Sequence, residues 1–450
     1  MSPIASLLFH LDFGADIPAI TFDRVIINCL ALVMLTRHLS ERSKSPKPIA
    51  GEIFMLGFAL YVLLSIPFFP HKSYISSFNS FLGRIGDIVL LYYVAKACII
   101  EKQHIYWVIG GILVVATYSA ILGVFDQVLG EWALFHLIGI ERPMIWTGGS
   151  EAGRSCGPFA TPYDLSILLA IGVFLAFHVI NWSRNKLTRV VCVLLIPLLL
   201  IAWYFTYSRS TYISFLLGIA LMPFLAYRSR KRYIEILIIG ALFLAIAMPI
   251  ILQKSAMQKR LLDPTNAMGR LITDVALWNM YKSNFWFGAG MGQAWEQVGK
   301  YAVPAYGIPG FEVYQGIGSW PSRTNLVKQF SPHNTQITYL AEHGTIGGLL
   351  FFLMIILFMV FVLKARGQMP HNGIVGSELA SVIFVSYVGV VLFTYWFGFY
   401  DATKFPTLLL YTMVALIVKA KQLQDMAANK PENNIDLQYS SQSRAVEDTK

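Results

Sequence analysis

Apolar runs of about 20 residues, separated by short polar stretches, recur along almost the whole chain. A helix needs about 20 apolar residues to cross a bilayer. The pattern predicts spans near 19–36, 51–70, 79–100, 105–128, 163–181, 188–207, 211–227, 233–252, 335–363, 376–397 and 404–420. The fold class expected is all-α, a polytopic membrane protein with about 11 (10–12) transmembrane helices. The uncertain member is "PIASLLFHLDF", a short or re-entrant segment near the start. No cleavable leader is expected, because the first 18 residues lack a basic region and a small-residue cleavage site.

One polar interruption is far longer than the rest. The chain therefore divides into an N-terminal bundle at 1–252, a large loop at 253–334, C-terminal helices at 335–421 and a polar, disordered tail at 422–450. The loop contains "DPTNAMGRLITDVALWNMYKSNFWFG", which has helical spacing. Asp263 and Pro264 read as its start. Ala267, Leu271, Val275 and Trp278 then share a face, as in a helix lying on a membrane surface.

Charge orients this arrangement. The net charge is +10, but only 13% of residues are charged, against about 25% in soluble domains. Basic residues fill alternate short loops: Arg37, Arg42, Lys44 and Lys47, then Arg184, Lys186 and Arg189, then Arg228, Arg230, Lys231 and Arg232. Those loops, with Lys96, Lys102, Lys364 and Arg366, are expected in the cytoplasm, which puts 253–334 on the opposite, periplasmic side. The charge thus reflects membrane orientation, and no nucleic acid partner is expected. Four cysteines without paired spacing indicate neither a disulfide framework nor a zinc site.

Against that bias, the arginines on the outer side stand out: Arg142, Arg154, Arg209, Arg270 and Arg323. Arg209 occupies a minimal turn in "YFTYSRSTYISF", between the hydroxyls of Ser208 and Ser210. A guanidinium fork suits phosphate oxygens, although an arginine at this depth also suits lipid headgroups. Arg270 lies one turn into the loop helix, and Arg154 lies in "GRSCGPFATPYD" just before a span. Each is open to a plainer reading, as a solvated helix face and a loop residue. Arg84 and Asp87, one turn apart, read as an ion pair within the membrane.

At the far end of the loop, "SPHNTQITYLAEHGTIGG" leads into a long apolar run. Ser331 is expected as the N-cap and Pro332 at the first helical position, which puts His333 in the first turn. Gly344, Gly347 and Gly348 form a small-residue patch where a helix or lipid chain can come close. There is no DxD motif, zinc spacing or nucleotide-phosphate loop, so no metal or cofactor is expected and a nucleotide sugar is not the expected donor. A lipid-linked diphosphate fits arginines at the rim of apolar helices better.

These residues resemble the O-antigen ligase and polymerase family of bacterial membrane glycosyltransferases. The ligase pattern is His-[Asn/Ser/Gln], nine residues, Gly, two residues, [Gly/Thr/Tyr], and His333-Asn334 to Gly344 and Gly347 fill it. "GRSCGPFATP", "SRST" and "GRLITDVALWNMYKSNFWFGAGMG" resemble three further family segments, in that order along the chain. The resemblance implies transfer of a glycan from undecaprenyl diphosphate at the periplasmic face of the inner membrane, with lipid A-core or another glycan as acceptor. Arg209 and Arg270 would hold the diphosphate and His333 would act near the acceptor hydroxyl. Arg154, Ser208, Ser210, Asn334, Gly344 and Gly347 complete the expected substrate-binding set. Two alternatives stand beside ligation: polymerisation of repeat units, and transport of a lipid-linked glycan.

Overall fold

The structure, a computed structural model, describes residues 48–69, 74–129, 154–159, 161–238, 265–301, 334–390 and 404–428, with short pieces before residue 37. Most of the expected first span, the far half of the 233–252 span and most of the large loop lie outside the described residues, as do Arg142, Arg323 and His333. What is described is helical, apart from a two-residue antiparallel pairing of β1 (His10–Leu11) with β2 (Ile20–Thr21).

The helices follow the apolar runs. They are α1 (Ala50–Ser65), α2 (Tyr74–Phe81), α3 (Asp87–Cys98), α4 (Lys102–Leu129), α5 (Pro162–Trp182), α6 (Lys186–Phe205) and α7 (Arg209–Leu225). After the break come α8 (Thr265–Ser283), α9 (Gln293–Gln297), α10 (Thr335–Gln368), α11 (Ser377–Gly389) and α12 (Lys404–Ala428). Six of the described stretches are long and apolar enough to cross a membrane, and α7 and α11 are shorter apolar helices. This is an integral membrane protein. Its outer residues are those of a lipid-facing surface: Val114, Leu187, Leu194 and Phe224 are all about 70% exposed.

Central position, and not hydropathy alone, distinguishes α5. Nearly every one of its residues is buried, from Pro162 to Val179. It packs on α4, α6, α7 and α11. Its far end is fixed by Glu378 on α11, which accepts hydrogen bonds from Asn181 Nδ2 (2.9 Å), Trp182 Nε1 (2.5 Å) and Ser229 Oγ (2.6 Å). With that end tied down, the N-terminal end of α5 is held steady for the site described below.

Three helices depart from the simple apolar-run reading. The predicted 79–100 span is interrupted by a π-helical turn at Leu82–Gly86 that carries Arg84. Arg84 forms an ion pair with Glu342 of α10 at 3.7 Å. At the other end of the chain, α12 continues past Gln422, where a polar tail was expected, to Ala428. Good helix formers, a Lys421–Asp425 pair and a hydrogen bond from Gln424 to the Val375 carbonyl carry it on.

The largest departure is α10, which reads as one continuous span but is broken at Gly344 (φ 65°, ψ −167°). The chain after α8 fills the break. Ala289 and Gly290 donate to the carbonyls of Ala341 and Glu342, and Thr345 and Ile346 donate to those of Phe285 and Trp286. Tyr61 of α1 adds a hydrogen bond to the His343 carbonyl at 2.9 Å. Within the glycine patch, Gly344 receives this backbone and Gly347 the Tyr61 ring. A Cβ on Gly344 would lie 2.4 Å from the Gly288 nitrogen, and one on Gly288 2.3 Å from Glu342. Gly344→Ala is expected to lower stability by about 1–3 kcal/mol from backbone strain alone, before the clash is counted. Thermal unfolding of the purified variant measures this, and a melting temperature unchanged from the parent would contradict the geometry.

Candidate functional site

The site gathers where α5 and α7 begin, α6 ends and α8 and α10 pass. The loop before α5 is pinned first. Asp126 of α4 accepts the Cys156 and Gly157 N–H groups at 3.2 and 2.7 Å, and Ser155 bonds the Gly123 and Phe205 carbonyls. Gly157 makes the turn at φ 54°, where its missing Cβ avoids the Ser119 carbonyl. This loop presents Arg154.

Arg154 is 4% exposed. Its Nε donates to the Thr206 carbonyl at 2.8 Å, and its guanidinium stacks 5.0 Å from the centre of the Tyr163 ring. The hydroxyl of the same tyrosine accepts from Arg270 Nη2 of α8 at 3.1 Å. Tyr163 thus stands between two guanidiniums, one on its face and one at its hydroxyl. Thr161 caps α5 and Pro162 opens it, which fixes Tyr163 in the first turn.

The α6–α7 turn carries the third arginine. Tyr207 takes a left-handed conformation (φ 46°), which is unusual outside glycine. Ser208 is the N-cap of α7 but its side chain makes no cap hydrogen bond. The Ser208 and Ser210 hydroxyls are both buried without partners, while Arg209 between them is exposed. An uncapped helix start with two waiting hydroxyls is chemically suited to an anion.

From α8 the connection runs on to α10. Asp274 follows Arg270 by one turn, and the Asn334 side chain hydrogen-bonds to its carboxyl. Burial pushes the Asp274 carboxyl up to about 7, against the pull of Asn334 and Arg270 in the other direction. Asn334 is also the N-cap of α10, its side chain accepting from the Ile337 N–H at 3.1 Å. This corrects the expected cap at Ser331: an asparagine one residue before the helix satisfies the orphan donor, so His333 precedes the cap instead of lying in the first turn.

The expected surface helix forms as α8, with a different division of faces. Ile272, Ala276, Leu277 and Met280 are buried, and α8 packs on α10. Leu271 and Trp278, from the predicted apolar face, are exposed and left to meet lipid.

Of the expected site residues, Arg154 and Arg270 converge on Tyr163, Ser208, Arg209 and Ser210 share the adjoining turn, and Asn334 reaches Arg270 through Asp274. Gly344 and Gly347 lie further along α10 and serve packing, Gly347 against Tyr61. Sequence reasoning missed Tyr163 and Asp274. Only the one-turn spacing of Asp274 from Arg270 hinted at it.

An apolar cleft between α5, α7 and α11 adjoins the start of α7. Its upper lining includes Ile167, one turn below Tyr163, and Thr211, two residues past Arg209. Phe174, Phe215 and Val385 continue it downward.

The fold and this basic site among apolar helices define a multi-span helical membrane protein. More particularly, residues 194–352 match the family model of O-antigen ligase. That stretch contains Arg209, Arg270, His333, Asn334, Gly344 and Gly347, and it bears out the O-antigen ligase and polymerase family to which the motifs point. No curated protein matches the chain.

Proposed function

We propose that the protein transfers a glycan from undecaprenyl diphosphate to a sugar hydroxyl at the periplasmic face of the bacterial inner membrane, with lipid A-core the favoured acceptor. The observation that carries this reading is the set Arg154–Tyr163–Arg270 beside the Arg209 turn, which adjoins an apolar cleft between α5, α7 and α11. A ligand with an anionic head and a long apolar chain matches both parts.

In this reading the diphosphate lies against Arg209 and Arg270, and the buried hydroxyls of Ser208 and Ser210 gain partners on its oxygens. Arg154 is held by Thr206 and the Tyr163 ring, so its part is to keep Tyr163 and Arg270 in place. The acceptor hydroxyl attacks the anomeric carbon while the bond to the diphosphate breaks. The leaving diphosphate gains charge, which the guanidiniums stabilise without calling on a metal. His333, next to the Asn334 cap, takes the hydroxyl proton. A single displacement inverts the anomeric configuration.

The test is transfer in vitro with the purified protein, a defined undecaprenyl-diphosphate glycan and either lipid A-core or a second lipid-linked repeat unit. Product on lipid A-core is expected. Product only on the repeat unit would make the enzyme a polymerase, and no transfer to either would favour a transporter. The orientation has its own test. Reporter fusions at Lys44, Arg230 and Arg366 are expected to read cytoplasmic and one at Tyr306 periplasmic. A cytoplasmic Tyr306 would put the arginine site in the wrong compartment.

A further inference from the structure

Asp274 has no task in the reaction as set out above. It sits one turn past Arg270 on α8, on the same face. Arg270 faces it along its own helix and Asn334 faces it from α10. Tyr163 of α5 touches Arg270 from the other side. Despite these neighbours, Oδ1 of Asp274 is sealed from solvent and has no hydrogen-bond partner. A buried polar atom left empty is costly.

What would fill that position depends on the proton. An ionised carboxylate can only accept hydrogen bonds, and it would repel a diphosphate placed against Arg270. A protonated carboxyl donates one, and phosphate oxygens are acceptors. An ionised Asp274 would also offset part of the Arg270 charge, whereas a neutral one leaves that charge for the ligand.

We propose that Asp274 is a further donor-binding residue: a protonated carboxyl that gives its hydrogen bond to a non-bridging oxygen of the lipid-linked diphosphate held by Arg270, taking up that proton from solvent as the donor binds. The proposal rests on the diphosphate reading of the arginine site. No covalent bond other than the carboxyl O–H is made. Burial of the carboxyl, which brings its titration to about pH 7, makes the uptake accessible at neutral pH.

The probe is a polyprenyl diphosphate N-acetylglucosamine with a short polyprenyl chain. Each of its phosphates carries one ester and one anhydride link and a single strongly acidic hydroxyl, so the probe carries two charges throughout pH 6–8 and contributes no titration of its own. His333 is next to Asn334 in sequence and histidine is the side chain whose ordinary range overlaps this window, so binding is measured by calorimetry on the full-length His333→Ala protein in nanodiscs. Affinity is expected to fall about tenfold from pH 6 to pH 8, the change in protonated fraction of a group that titrates near 7. Adding Asp274→Asn, whose amide donates in place of the acid, is expected to flatten that dependence to within about twofold while keeping the affinity seen at pH 6. Adding Asp274→Ala is expected to weaken binding at both pH values.

Repeating the His333→Ala titration at pH 8 in buffers of different ionisation enthalpy is expected to show uptake of about one proton per donor bound. This measurement needs no change at Asp274 and holds even if those variants fail to fold. Zero uptake, or a tenfold fall that persists in Asp274→Asn, would overturn the proposal. Failure of the probe to bind at any pH would instead overturn the diphosphate site itself.

Discussion

Arg209→Ala and Arg270→Ala are each expected to cut glycan transfer by about 10²–10³-fold or more, the loss seen when one preorganised donor to a developing negative charge is removed. The two positions differ in what else they lose. Arg270 is half-buried and bonds Tyr163, so its removal also loosens the contact between α8 and α5. Arg209 is exposed at the head of α7. The sharper test is therefore Arg209→Lys. Lysine keeps the charge but not the planar fork, and little activity should return. The measurement is in vitro transfer at matched protein content in the membrane. Full activity in Arg209→Lys would make Arg209 a headgroup anchor.

His333→Ala is expected to lower turnover by about 10²–10⁴-fold, the range for a lost general base, with donor affinity at fixed pH little changed. Normal turnover with weakened donor binding would instead place His333 on the diphosphate. Its neighbour Asn334 should respond differently. The Asn334 side chain caps α10 and bonds Asp274. Asn334→Ala is expected to cost about 1 kcal/mol of stability and a smaller loss of turnover than His333→Ala. Measuring both variants for melting temperature and turnover separates the two roles.

Hydropathy made much of this legible, because lipid demands long apolar helices whatever the tertiary structure. The spans at α1, α4, α5, α6 and α10 match their apolar runs within a few residues. The arginines were legible for a related reason: a guanidinium on the outer side of a membrane protein goes against the charge bias. What stayed hidden depends on contacts between distant segments. Nothing in "AEHGTIGGLLFF" distinguishes a continuous helix from one broken at Gly344, since the break is filled by residues 285–290, far away in sequence. Tyr163 looks like an ordinary aromatic at a membrane rim until Arg154 and Arg270 arrive from either side. Asp274 looks like a solvated acid on an amphipathic helix until Asn334 covers it.

The break in α10 also bears on how the protein meets bilayers of different thickness. The apolar stretch Ile346–Leu363 is 18 residues long. At about 1.5 Å per residue it spans about 27 Å, close to the hydrocarbon core of about 30 Å. The piece from Thr335 to His343 is thus surplus to crossing, and its last turn is strapped to Ala289, Gly290 and Tyr61. A thicker or thinner membrane is met by tilt of the rod below its own ties, those of Thr345 and Ile346 to Phe285 and Trp286. The upper piece, bonded to the chain that leads from α8, keeps Asn334 in register with Arg270 while the rod adjusts to the lipid.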